Sequence, residues 1–322
     1  LTTSEPFIDL LVTTYQRAAD LVILMKNLEL QTYRNFQLQI FDGSVDTSVV
    51  NAVEEYRSKS RDFEYPILFH KTTAGMTRQR NIAVDHTRGD ISIFLDDDVE
   101  LDIDYLKQIV NVFQLRPEIA GMNGFDTQAF VFRKGKKMGK RKSLYRKLGL
   151  LPDIGPARYL PWGHGTPHFG DNEKRGLEEV DLLIGHNMAF RTSLLKEYRF
   201  ADFFEDYPTY VLYDDQDICL RLRKKYILVL NYNARLKHNV SPSGRPPKTH
   251  YGFQACFNAY RNWRLYGGKD WKSQLKFWGW EFLDIILQFP ASKTRNISIG
   301  RLTAIWYILL GKTRYHQIIK EK

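Results

Sequence analysis

Two cysteines, Cys219 and Cys256, are all that the 322 residues contain. A fold stapled by disulfides would need more, so a reduced, cytoplasmic setting is expected. Long apolar runs are missing too. A bilayer-spanning helix needs about 20 apolar residues. The best stretches, Leu275–Phe289 and Ile297–Leu310, are broken by Lys276, Glu281 and Asp284 and by Arg301 respectively. No basic segment followed by an apolar run and a small-residue cleavage site opens the chain, so no signal peptide is expected. No internal repeat is visible. Acidic charge is in deficit: 47 Lys and Arg face 37 Asp and Glu, for a net charge of +10 and a pI near 9.4. That balance favours an anionic partner such as a nucleotide, a phospholipid surface or a phosphorylated acceptor. Nucleic acid is not expected, because no nucleic-acid motif accompanies the charge.

With 43% hydrophobic and 26% charged residues the chain has the balance of a globular protein. Its first 125 residues alternate short β-type runs with helical patterns. Phe7–Thr13, Phe36–Phe41, Pro66–His70, Asp90–Leu95 and Ile119–Phe125 read as strands, separated by amphipathic stretches such as Ala19–Leu30 and Leu101–Phe113. This predicts an α/β fold with a mostly parallel sheet and helices on both faces. Residues 126–180 break the rhythm with a basic run, Arg133–Lys142, then Arg146 and Lys147, and a Gly/Pro/His-rich stretch over 161–170. They read as an excursion from the domain. Strands are expected at Ile227–Leu230 and Ala234–Val240, and a helix at Asp217–Lys224. From Tyr251 the chain reads as helical and carries most of its tryptophans. The expected division is 1–245 for the α/β domain and 246–322 for a helical, aromatic-rich extension.

In an open α/β sheet, ligands gather beyond the carboxyl ends of the strands. Those ends carry Thr13-Thr14-Tyr15-Gln16-Arg17, Asp42-Gly43-Ser44 and Asp96-Asp97-Asp98. Adjacent carboxylates repel unless a cation compensates, and carboxylate oxygens suit Mg²⁺ or Mn²⁺. Alternation along an extended segment sends Asp96 and Asp98 to one side and Asp97 to the other. A solvated turn, with Asp98 or Asp102 capping the next helix, is the plainer alternative. The convergence of three strand ends favours a metal-diphosphate clamp.

Six segments then resemble family 2 glycosyltransferases of the GT-A fold. They are Leu11–Arg17, Phe41–Asp46, Gly75–Ala83, Gly89–Asp98, Ile184–Arg191 and Tyr213–Arg223. The resemblance spans roughly residues 6–245. It implies transfer, with inversion, of a sugar from a nucleotide-diphosphate sugar to an acceptor hydroxyl, with Mn²⁺ or Mg²⁺. UDP is implied ahead of thymidine and guanosine diphosphates. Thr13, Tyr15, Arg17, Asp42, Arg78, Arg80, Asp96 and Asp97 would bind the nucleotide sugar. Asp98 and His238 would hold the metal, and Asp215 would be the general base, with Asp214 as the alternative. Asp214, His186 and Asn187 would face the acceptor. Two departures blur which base is read: Thr13 replaces the family's proline, and Phe41-Asp42 replaces its paired aspartates.

A saccharide or lipid-linked acceptor and a role in cell-envelope or exopolysaccharide synthesis fit this reading. The basic run and the aromatic tail allow packing onto the catalytic domain, a peripheral contact with an anionic membrane at its inner face, or a homodimer. A sugar-phosphate nucleotidyltransferase is the rival enzyme, but Thr13–Arg17 lacks the glycines that such a triphosphate loop needs. A non-catalytic nucleotide-sugar sensor or membrane adaptor on the same fold is the third reading.

Overall fold

The computed structural model describes residues 5–59, 65–128, 140–168, 173–241 and 245–315. Nine strands form one sheet: β1 (Ile8–Thr14), β2 (Phe36–Asp42), β3 (Ile67–Lys71), β4 (Ile91–Leu95), β5 (Val99–Leu101), β6 (Ile119–Asp126), β7 (Leu177–Val180), β8 (Asn187–Arg191) and β9 (Ile227–His238). Their order is β3-β2-β1-β4-β8-β6-β9-β5, with β7 also paired to β9. β1, β2, β3, β4, β6 and β9 point one way, while β5, β7 and β8 oppose them. The sheet is therefore mixed and mostly parallel, as the alternating pattern predicts.

Strand periodicity explains the layering. On β1, Leu10 and Val12 face one way, onto helices Ala18–Leu28, Ser48–Lys59 and Tyr105–Leu115. Leu11 faces the other way, toward Met76–His86, Thr192–Tyr198 and Asp214–Leu222. A strand buried on both faces must be apolar throughout, and IDLLVTT is nearly so. Helix Ala18–Leu28 meets the sheet through Leu21, Leu24, Met25 and Leu28, the i, i+3, i+4, i+7 stripe.

Three departures from the sequence pattern stand out. β5 is three residues long and carries no periodic signal. The two strands expected within 227–240 are one strand, whose register against β6 jumps between Gly124 and Phe125, so residues 232–234 bulge out. β7 lies inside the stretch 126–180 that reads as an excursion, and the chain is irregular from there until β8 begins at Asn187. The first part of the basic run, 133–139, lies outside the described residues, as do 169 and 170; Lys140–Lys147 is helical.

Beyond residue 245, helices Lys248–Tyr266, Trp271–Gln288 and Arg295–Leu309 pack on one another and on the excursion. Trp263 stacks on Phe277 at 4.7 Å, the Tyr145 hydroxyl donates to Asp284 at 2.5 Å, and His164 lies 3.1 Å from Glu281. Burying Glu281 and Asp284 is tolerable because Arg301 pairs with both. Arg301, which breaks the second apolar run, thus serves packing, and Lys276 donates to the Gly149 carbonyl at 3.0 Å and lies over the Trp162 ring. The first and third of these helices cross so closely that a Cβ on Gly300 would sit 1.9 Å from the Thr249 carbonyl oxygen, and one on Gly252 2.0 Å from that of Ile297. Gly300→Ala should therefore destabilise the protein by about 3 kcal/mol or more, since backbone cannot yield as a side chain does. The midpoint and slope of urea unfolding would measure it.

Candidate active site

The strand order reverses direction of growth between β1 and β4, the place where open α/β sheets leave a crevice. The crevice holds a pocket of about 80 Å³ lined by Thr13, Thr14, Tyr15, Arg17, Gly75, Gln79, Asp96, Asp97, Tyr210 and Arg245. Gln16, next to Tyr15, holds a left-handed backbone (φ 55°) and donates its N–H to Ser44 Oγ at 2.7 Å, turning the chain out of β1.

Antiparallel pairing builds the far wall. Leu95 lies opposite Asn187 and Val99 opposite His238, so the aspartate triplet is flanked by His186 and His238. The two imidazoles stack at 4.3 Å. Ligand atoms of Asp96, Asp98 and His238 all lie within 4.8 Å of one another. His238 Nε2 approaches Asp98 Oδ1 at 3.1 Å outside hydrogen-bond geometry, and both atoms are buried without a hydrogen-bond partner. Buried polar atoms left so are costly, and a set of carboxylate oxygens with an imidazole nitrogen fits a divalent cation. Burial would raise the Asp98 carboxyl, but His238, the Ser241 N–H at 2.8 Å and Arg17 outweigh it and hold it well below the ordinary range. Asp97 has a different environment. It accepts from Thr14 Oγ1 at 2.6 Å and from Arg17 at 3.0 Å, and burial pushes it up to about 7. Neither Asp98 nor Asp102 caps the following helix; Asp104 occupies that position.

A second cleft, about 430 Å³, joins the first at Met76, Asp96, Tyr210 and Arg245. Its walls include Arg80, His168, Gly185, His186, Asp214, Asp215 and, from the C-terminal helices, Tyr251, Ala255 and Arg301. Tyr213, held left-handed at φ 76°, starts helix Asp214–Leu222 and brings both aspartates to the cleft. Asp214 accepts from Arg80 Nη1 at 3.0 and 2.9 Å and from Thr77 Oγ1 at 2.8 Å. Asp215 accepts only backbone N–H groups, Gly185 at 3.1 Å and Gln216 at 2.8 Å. Burial, and then the neighbouring Asp214, push it up to about 7, against Arg80. A Cβ on Gly185 would lie 3.0 Å from the Arg80 guanidinium, so glycine lets this loop close over both groups. Asp217 is buried and tied to Arg221, Arg261 and Tyr266, which anchors the helix to Lys248–Tyr266.

Some residues named from sequence lie elsewhere. Arg80 lines the second cleft and not the first pocket, because its guanidinium is committed to Asp214. Arg78 bonds the carbonyls of Ala74 and Glu205 and lines neither cavity. Asp42 is fully buried, accepts from Ser44 N–H and Lys71 Nζ, and lines neither cavity. Asn187 lies beneath the cleft, where its side-chain oxygen accepts from Gly124 N–H at 2.7 Å. Sequence reasoning assigned no role to Thr14 and Gln79, although both lie in segments that carry the resemblance, and missed Tyr210 and Ser241, which lie outside those segments. It also missed Asp126, within 4.8 Å of His186 and His238; its place at the end of β6 was the available signal.

A sheet with this order, a strand-end acidic cluster and two cavities meeting over it has the architecture of GT-A glycosyltransferases. Residues 9–199, more than half of the chain, match the model of Glycosyl transferase family 2, and the chain belongs to that family. It is 29% identical over 112 residues to an uncharacterized glycosyltransferase of Haemophilus influenzae, a match covering 35% of this chain. The chain spans about a third (36%) of that relative's length. Among solved structures, the mannosyltransferase PcManGT of Pyrobaculum calidifontis, in complex with GDP-Man and Mn²⁺, superposes with a TM-score of 0.54 at 15% identity, over 96% of this chain and 77% of that one. GalNAc-T7 with UDP, GalNAc and Mn²⁺ gives 0.59 at 12% identity, over 92% and 54%. Likenesses at such identity establish the fold.

Proposed function

We propose that the protein is a metal-dependent, inverting hexosyltransferase that uses a nucleotide-diphosphate sugar, with UDP as the expected nucleotide. One observation carries this reading: the Asp96–Asp98–His238 cluster lies where the strand-end pocket opens into a larger cleft that contains Asp215. The nucleotide would occupy the first cavity and the acceptor the second, so that the sugar lies over the junction. Asp98 and His238, with Asp96 facing the ribose side, would hold Mn²⁺ or Mg²⁺, which when bound supplies Lewis-acid stabilisation of the departing diphosphate. Asp215 would take the proton from the attacking hydroxyl. Asp214 is locked to Arg80 and Thr77, which leaves Asp215 as the carboxylate in the second cleft with bonding capacity to spare. One base and no second carboxylate poised as nucleophile suit a single displacement, which inverts the anomeric centre.

In this reading residues 1–245 carry the chemistry, and the 246–322 extension completes the acceptor wall. The acceptor would be a saccharide or a lipid-linked saccharide, in cell-envelope or exopolysaccharide synthesis. The protein would be cytoplasmic and peripheral at the inner membrane face. A thermal-shift panel of uridine, thymidine and guanosine diphosphates and their sugars, with and without Mn²⁺ or Mg²⁺, tests the reading. A metal-dependent rise with a uridine diphosphate compound is expected, with release of sugar from that donor. No response to any nucleotide would overturn it, and a triphosphate plus sugar-phosphate requirement would favour the nucleotidyltransferase.

A further inference from the structure

Large apolar side chains face solvent on the last two helices in a regular pattern. On Trp271–Gln288 they are Leu275 (64% exposed), Phe282 and Ile286, all within about 60° of one another at 100° per residue. On Arg295–Leu309 they are Ile299, Leu302, Trp306 (60%) and Leu309 (73%), again on one stripe. A soluble surface helix normally turns such a stripe inward. Here each helix also has a separate buried face, so these stripes are surplus to the fold.

The contacts between the two helices show that the stripes share a side. Ser298 Oγ donates to the Ile285 carbonyl at 3.1 Å, and Arg301 pairs with Asp284 at 2.8 Å and with Glu281. The partners run in opposite order, so the helices are antiparallel. In each helix the stripe follows the contact residues in the same rotational sense: Phe282 and Ile286 follow Glu281 and Ile285, while Ile299 and Leu302 follow Ser298 and Arg301. In an antiparallel pair, equal rotation away from the contact line leads to the same outer side, and the stripes merge into one apolar face.

The exposed charges along that face are basic except at its edge, where Asp270 caps the first helix. Between Trp271 and Tyr315 the acids are Glu281 and Asp284, both buried on Arg301. Lys272, Lys293 and Arg295 are exposed. Arg141, from the end of the basic run, lies 3.4 Å from Asp284. A second copy of a chain with net charge +10 would set like charges against each other across this face. No helix among the described residues is long and apolar enough to cross a membrane.

We propose that this helical hairpin is the element that docks the protein on an anionic lipid bilayer. Phe282, Ile286, Trp306 and Leu309 enter the headgroup boundary while Lys272, Lys293 and Arg295 meet the acidic headgroups. The inference deepens the peripheral-membrane part of the proposed function and is independent of its chemistry. The test is sedimentation of the full chain with phosphatidylcholine vesicles, with and without phosphatidylglycerol, in the absence of sugar nucleotide. Binding is expected to need the anionic lipid and to weaken with salt. Phe282→Gln with Trp306→Gln, and separately Lys272→Glu with Lys293→Glu, should each lower partition about tenfold. Unchanged far-ultraviolet dichroism and an unchanged nucleotide thermal shift would show that the variants fold. Anionic-vesicle binding that survives both pairs overturns the hairpin assignment. Binding to no vesicle overturns it together with the peripheral reading, and in that case a self-association lost in the Phe282/Trp306 variant would identify a second copy as the occupant. None of these outcomes bears on donor turnover, which the nucleotide panel tests.

Discussion

Asp215→Asn should lower turnover by about 10²–10⁴-fold, the usual contribution of a positioned general base, while leaving the affinity for nucleoside diphosphate and metal nearly unchanged. The split follows from the geometry. Asp215 lines the cleft beyond the junction and does not line the pocket proposed for the nucleotide. Asparagine preserves the size but has one acceptor oxygen where Asp215 uses two, so it holds either the Gly185 or the Gln216 N–H, and that surviving bond with the unchanged volume should keep the loop in place. The pH profile adds a second readout. Burial and Asp214 raise this carboxyl from its ordinary 3.8 to about 7. It is therefore protonated, and unable to accept a proton, below that value, and ionised above it. The wild-type rate should climb as pH rises through about 7, and the residual rate of the variant should lack that rise. Steady-state kinetics with a competent acceptor, alongside calorimetric titration of the nucleoside diphosphate, would measure both. Wild-type turnover in the variant would move the base elsewhere, with Asp214 the first candidate.

Asp98→Ala should cost at least about a hundredfold in turnover and abolish the metal-dependent part of nucleotide binding. It removes one oxygen of the Asp96–Asp98–His238 set and also the acceptor for the Ser241 N–H, which holds the end of β9 against the triplet. Arg17 lies 3.5 Å from Asp98 and would keep its bond to Asp97, so the strand end should keep its shape. The metal-induced increment in thermal stability with nucleoside diphosphate should vanish, and the protein alone should melt somewhat lower, because the Ser241 N–H and Arg17 lose an acceptor. Asp97→Ala should act differently. Its partners are Thr14 and Arg17, so the loss should appear in stability before it appears in metal response. An Asp98 variant that kept its metal increment would move the metal site off the triplet.

The fold was legible because its signals are local. The alternation of 2- and 3.6-residue periods over residues 7–125 comes from faces that must be buried, and that pattern survives in the sequence whatever packs against them. The strand-end aspartates were legible for a related reason, since a row of carboxylates after an apolar strand is itself an unusual chemical statement. The pairing of Asp98 with His238 was harder to see. It depends on β5, three residues long, pairing with the end of β9 some 137 positions away, as the Lys237–Glu100 contact also shows. Such a short strand has no periodicity to read. The same limit explains Arg80 and Asp42. Both types suit a nucleotide, but a buried guanidinium takes the partner that the fold supplies, and Asp214 arrives from a distant helix.

The sequence alone therefore determined the layered α/β architecture, the strand end on which acidic chemistry collects and the segment holding Asp214 and Asp215, because burial periodicity and charge clustering are properties of neighbours along the chain. The tertiary structure decided which of those groups are spent on one another. It bound Asp97 to Arg17 and Asp214 to Arg80, left the Asp98–His238 pair and Asp215 with unused capacity, and turned part of the aromatic tail inward while exposing a stripe on its last two helices. Such choices are made by long-range pairing and by desolvation, and neither is encoded at any one position.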